Sequence, residues 1–147
     1  MAVQIDNRQN NIRISLKRTK KTAQAILDAL DFHDGELSIV IVDDKQIEEL
    51  NRAYFQRKGP TNVIAFPMRE GPFSDLNPQL LGDVVISAET AKKEGEAAGI
   101  STEERFNQLL VHGILHLFGF DHEKDKRKEQ EMEKKTAQLM AMLKRSG

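Results

Sequence analysis

Three of the four histidines of this chain fall within the segment His112-Gly113-Ile114-Leu115-His116-Leu117-Phe118-Gly119-Phe120-Asp121-His122, and their spacing constrains the fold more than any other feature. On a helix, positions 112 and 116 are one turn apart. Side chains at i and i+4 are neighbours, with Cβ atoms about 5–6 Å apart, close enough to grip one ion. His122 joins them only if the helix stops, because six further helical residues would carry it about 9 Å along the axis and to the far side. Gly119 can take the positive φ that such a stop needs. The segment therefore predicts a helix that carries two imidazoles, ends near Gly119, and lets a third imidazole swing back. Three imidazoles with an open fourth position form the ligand pattern of a catalytic zinc site, so His112, His116 and His122 are the candidate metal ligands. The same donors also suit nickel, copper or cobalt.

The absence of cysteine narrows the chemistry further. It excludes a disulfide framework, a thiolate zinc finger, an iron–sulfur cluster, a cysteine nucleophile and any cysteine-mediated partner. A metal must then sit on His, Asp or Glu. With 147 residues, 39% of them hydrophobic, the chain is expected to form one domain over 1–147 and to bury about two-thirds of its surface. The aliphatic run Ile39-Val40-Ile41-Val42 is far short of the ~20 residues that span a bilayer. Residues 1–20 carry no apolar signal region, so a soluble cytoplasmic protein with no membrane partner is expected. The net charge of −1 decides nothing about nucleic acid, because the distribution of charge governs that.

Periodicity places a short strand at 2–6 and a helix with its apolar face on Ala23, Ile26, Leu27 and Leu30. A strand follows over 37–42. Asp43 and Gln46 have capping-box spacing and open a helix that runs to about Tyr54. After the basic turn 56–60 come a strand at 61–66, an irregular loop at 67–80 and a strand at 82–86. Ser87 caps a helix over 88–98 that Gly99 ends, and Ser101 with Glu104 forms a second capping box. The helix it opens is buried along Phe106, Leu109, Leu110, Gly113 and Leu117. The final segment, 125–145, is highly charged, with a core-facing stripe of Met132, Leu139, Met142 and Leu143. This mixture predicts an α+β fold, a small mixed four-stranded sheet packed with about five helices, one of them a zincin-like helix carrying the metal ligands.

The histidine spacing matches that of H-E-x-x-H-x-x-G-x-x-H zinc peptidases, but Gly113 stands where those enzymes hold the general-base Glu. The change argues against ordinary peptidase chemistry without excluding hydrolysis, since zinc alone lowers the pKa of water to about 7. It is also expected to open space beside the ion for a bulky group such as a phosphodiester. No residue is identified as the catalytic base. Arg57 and Lys58 are either a phosphate-binding pair for RNA or a solvated turn. The same choice holds for Arg8, Arg13, Lys17, Arg18, Lys20 and Lys21. Asp121, beside a candidate ligand, is expected to orient an imidazole or cap the last helix rather than act as a base. Asp83 is read as a strand-end residue that bonds backbone, and His33 as a turn residue without a site role.

The three-histidine segment resembles the hallmark H-G-x-L-H-L-x-G-Y-D-H of the YbeY-type endoribonucleases, or rRNA maturation factors, with Phe120 in place of the usual Tyr. Pro60-Thr61-Asn62-Val63-Ile64-Ala65-Phe66-Pro67 resembles that family's P-T-D/N-V-L-S-F-P strand. Leu81-Gly82-Asp83-Val84-Val85-Ile86-Ser87 resembles its L-G-D-I-x-I-S strand, and Leu50-Asn51 matches the pair that precedes them. The resemblance covers residues 37 to 135. It implies one zinc ion on the three motif histidines. It also implies a single-strand-specific endoribonuclease that matures the 3′ end of 16S rRNA and takes part in ribosome biogenesis and quality control, with rRNA and the small subunit as partners. Where the family often has an arginine, this chain has Phe55; Arg57 or Arg52 could substitute, and the catalytic role is transferred to neither. Two other readings compete: a non-catalytic ribosome-assembly factor with a structural metal, and a metallohydrolase with a non-RNA substrate. Closed structural zinc wants four protein ligands and no fourth stands out, which favours an open site. Only 5% of residues are aromatic, which is expected to limit base stacking and leave RNA contact mostly to phosphate and shape.

Overall fold

The structure, a computed structural model, describes residues 3–68, 80–120 and 126–146, which form four strands and five helices. The strands are β1 (Val3–Asn7), β2 (Glu36–Val42), β3 (Val63–Pro67) and β4 (Leu80–Ser87). The helices are α1 (Leu16–Ala29), α2 (Asp44–Phe55), α3 (Ala88–Ala98), α4 (Thr102–Leu117) and α5 (Lys126–Ser146). The sheet order is β1-β2-β4-β3, with β1, β2 and β4 parallel and β3 antiparallel to β4. The expected α+β class, mixed four-stranded sheet and five helices are all present.

Alternation along β2 sorts the layers. Leu37, Ile39 and Ile41 point into the larger core with Ile26 and Leu27 of α1, Ala91 of α3, most of the buried face of α4, and Met132 and Leu139 of α5. Val42 points to the other face, where Ile47 of α2 packs with Ile64 and Val85. The cross-strand register Ile39↔Val84 and Ala65↔Val84 brings β2, β4 and β3 together under α4.

The first helix begins earlier than its apolar periodicity suggests. Ser15 Oγ accepts the Arg18 N–H at 3.2 Å and starts α1 at Leu16, so Lys17, Arg18, Lys20 and Lys21 belong to the helix rather than to a segment before it. At α2 the capping box is complete: Asp43 Oδ1 accepts the Gln46 N–H at 2.8 Å, and Gln46 Oε1 accepts the Asp43 N–H at 3.0 Å. Asp44 then ties α2 to α3, accepting from Ser87 Oγ at 2.6 Å, Lys93 Nζ at 2.7 Å and Thr90 Oγ1. Burial is the largest single influence on the Asp44 carboxyl and pushes its pKa up. The bonds from Lys93, Ser87 and Thr90 together outweigh it and hold the group below the usual carboxylate value. The loop expected at 67–80 lies mostly at 69–79, outside the described residues, while Pro67 ends β3 and Leu80 begins β4.

Candidate functional site

The site is built on α4. Ser101 Oγ accepts the Glu104 N–H at 3.0 Å, the first half of the expected box, but the Glu104 carboxylate faces Lys144 Nζ of α5 at 3.9 Å. Phe106, Leu109, Leu110, Val111, Ile114 and Leu115 are all at most 3% exposed, so nearly every face of the helix is packed. The helix stops where Gly119 predicts. Gly119 has φ 91°, its N–H donates to His116 O at 3.0 Å, and the Phe120 N–H donates to Leu115 O at 3.1 Å. These are the two bonds of a Schellman motif, which satisfies the last carbonyls of the helix and turns the chain away.

His112 and His116 emerge half-buried on one side of this helix, with ring centroids 4.6 Å apart and planes at 58°. Their Nε2 atoms are 3.1 Å apart. That separation suits one N–H···N hydrogen bond or two donors on a single ion. At a zinc–nitrogen length of about 2.0–2.1 Å the two nitrogens subtend about 98°, near the tetrahedral angle, so the pair fits a metal. Among the described residues no third His, Asp or Glu completes a group around them. His122 and Asp121 lie outside the described residues.

The pair opens into a cleft of about 420 Å³. Its other walls include Val63–Ala65 of β3, Phe55 at the end of α2 and, just beyond it, Arg57. Gln56 turns the chain there with φ 54°. Buried Asn51 donates Nδ2 to Gly59 O at 3.1 Å, which closes the basic turn and sets Arg57 at the cleft. A second cleft of about 500 Å³ runs between α4 and α5 and shares His112 and Asn62 with the first. The Asn62 side chain donates to Glu94 at 3.3 Å, and Glu94 also accepts from Arg105 Nε at 3.0 Å.

Gly113 has a packing role that its spacing does not suggest. A Cβ there would sit 2.6 Å from Val84 Cγ1 and 3.2 Å from Val63 Cγ2. The missing side chain would face the sheet, while the glycine itself lines the cleft between the two histidines. It lets α4 lie directly on β3 and β4, which brings the imidazoles up to the wall formed by β3.

Of the basic candidates, Arg57 lines the cleft, and Lys58 is exposed in the same turn but is not a lining residue. The earlier basic residues lie elsewhere. Arg8 pairs with Asp6 at 2.7 Å and Arg18 with Glu103 at 3.0 Å, and Arg13 and Arg18 line a small separate hollow. Asp83 sits within β4 rather than at its end, in a cleft on the other face of the sheet with Tyr54 and Phe66. His33 is exposed between Asp28 at 3.1 Å and Asp31 at 3.2 Å, and its hydrogen bond to Asp28 raises its pKa. Sequence reading missed Asn51 as the clamp of the basic turn and the gathering of aromatic rings at its mouth. The first has no local signature, and the second depends on strand β3 lying beside the end of α2.

A family model described as endoribonuclease YbeY matches residues 4–144. The endoribonuclease YbeY of Geobacter sulfurreducens is 48% identical over 100% of this chain and 99% of that protein. That of Syntrophotalea carbinolica is 45% identical over 96% and 95%, and that of Aquifex aeolicus 43% identical over 79% and 80%. Among solved structures, a Thermotoga maritima protein studied in solution superposes with a TM-score of 0.67 at 22% identity, over 94% of this chain and 86% of that one, a likeness of fold.

Proposed function

Because the chain belongs to the endoribonuclease YbeY family, we propose that it is a zinc-dependent endoribonuclease that cuts single-stranded RNA at the 3′ end of 16S rRNA during small-subunit maturation and quality control. The observation that carries the reading is the His112–His116 pair, with Nε2 atoms 3.1 Å apart in a cleft that Arg57 also lines. His112 and His116 of α4 would hold the ion in the manner of a zincin helix, with His122 as the third ligand. A bound zinc ion supplies a Lewis acid that makes water acidic near neutral pH and polarises a phosphoryl oxygen.

The chain's own residues do the rest. Arg57 offers a planar fork of donors to a phosphate in the cleft and lends positive charge as the phosphorane forms. The wall Val63–Ala65 limits how the strand can lie against the imidazoles. The packing of Gly113 on Val84 keeps position 113 from carrying the carboxylate of the peptidase pattern, which disfavours peptide hydrolysis. A cytoplasmic location accords with this substrate. Among the described residues, no helix is long and apolar enough to cross a membrane.

The test is cleavage of a small-subunit rRNA 3′ precursor by the purified protein beside His116→Ala purified identically, each with and without a chelator. Cleavage by the wild type alone, lost on chelation, supports the reading. Equal cleavage by both, or none by either, refutes it and favours an assembly factor with a structural ion.

A further inference from the structure

The chain is poor in aromatic residues, with seven Phe, one Tyr and no Trp, yet three of these rings meet at the end of α2, where Phe55 lines the His cleft and Phe66 and Tyr54 line the cleft on the other face of the sheet. Phe55 is the last residue of α2 and is 43% exposed. The helix is anchored without it, through Ile47, Leu50 and Asn51. Phe66 of β3 lies against the Phe55 ring, centroids 5.9 Å apart and planes at 30°. Tyr54 packs edge-on to Phe66 at 5.3 Å and 72°. The Phe55 ring is therefore held from one side, still open to solvent, and lines the same cleft as His112, His116 and Arg57.

We propose that Phe55, backed by Phe66, is a stacking platform for one unpaired nucleobase of the RNA strand whose phosphate lies in the cleft. This rests on the reading of the site as a ribonuclease centre and adds the residue that positions its substrate. Every base presents a π-face, so such a platform tolerates any sequence. A base inside a duplex is already stacked between its neighbours and cannot be splayed onto the ring, so the platform also selects single strands. Because Phe66 fixes the ring before RNA arrives, little side-chain freedom is lost on binding. Arg57, two residues further on, faces the same cleft and suits the adjoining phosphate.

The experiment measures binding by fluorescence anisotropy in the His116→Ala background, where cleavage does not intervene. The probe is a short labelled single-stranded oligoribonucleotide and a set of its derivatives, each lacking one base. Phe55→Leu keeps apolar packing on Phe66 and removes the ring, whereas Phe55→Trp restores a ring. Phe55→Leu is expected to weaken binding of the intact strand by about 5- to 150-fold, the range for one stacked base. Phe55→Trp should bind as the parent does. For one abasic derivative the Leu variant should bind as tightly as the parent, because the base it would miss is gone. Undiminished binding by Phe55→Leu, or an equal loss on every derivative, overturns the platform even when the wild type cleaves RNA. A base-dependent loss supports the platform even when the wild type fails to cleave, in which case the catalytic reading alone falls. No binding to any of these RNAs overturns both.

Discussion

Gly113→Ala is the substitution whose outcome the structure most clearly reverses. In an exposed helix, replacing Gly by Ala gains about 0.8–1.0 kcal/mol. Here the added methyl would lie 2.6 Å from Val84 Cγ1 and 3.2 Å from Val63 Cγ2. Val84 is fully buried in β4, and its branched Cβ leaves it few rotamers to retreat into. Overpacking of this kind costs about 1–3 kcal/mol, and the close contact with a rigid partner places it toward the upper end. The net expectation is a loss of about 1–2 kcal/mol, or a melting point lower by about 3–6 °C for a chain of this length. Urea denaturation of four proteins tests the cause: wild type, Gly113→Ala, Val84→Ala and the double variant. Val84→Ala alone is destabilising through the cavity it leaves. In its background the 2.6 Å contact is gone and only the 3.2 Å approach to Val63 remains, so Gly113→Ala should become close to neutral or stabilising, a coupling of about 1–3 kcal/mol. RNA cleavage by Gly113→Ala should also fall, because α4 must lift from the sheet and carry both imidazoles with it. A Gly113→Ala protein more stable than wild type, or a cost that persists unchanged without the valine, would refute the reasoning.

Two further outcomes follow from charges on the structure. Arg57→Ala should weaken binding to single-stranded RNA about equally for all sequences. It should also reduce the slope of log K against log salt by about 0.7, read from anisotropy titrations at several salt concentrations. Asp44, whose pKa is lowered in the folded chain, binds its proton more readily when unfolded, so it contributes stability above the ordinary carboxylate value that is lost as pH falls below about 4. Asp44→Asn should therefore lower stability at neutral pH and flatten the acid limb of a stability–pH curve. An unchanged acid limb would show that the carboxylate does not link folding to protons there.

The elements most legible in the sequence are those specified by neighbours in the chain. Asp43 with Gln46, Ser87 before α3, Gly99 and Gly119 each mark an end within a residue or two, because caps and left-handed stops are decided over a few residues. The start of α1 was harder to read, since Ser15 caps a first turn, Leu16 to Thr19, that is half basic and stands before the apolar rhythm begins. The His112–His116 pair was legible as a helical i,i+4 spacing and is found as such. What Gly113 faces could not be read, because nothing local says that Val84 and Val63 will lie beneath that turn. The same holds for Phe55, which looks like an ordinary helix-end residue until β3 brings Phe66 against it.

The burial of α4 has a consequence for time as well as for shape. Four of its residues, Leu110, Val111, Ile114 and Leu115, lie wholly inside the molecule, between the sheet and the surrounding helices. A helix so enclosed has no local opening that spares the core, so its amides should exchange with solvent only as the whole chain unfolds. The backbone at positions 112 and 116 should thus keep its spacing as long as the core holds. An ion bound as proposed would meet two of its donors already in register and would give up little of its binding free energy to order them. Loss of such an ion and loss of the fold would then be separate events, each with its own clock.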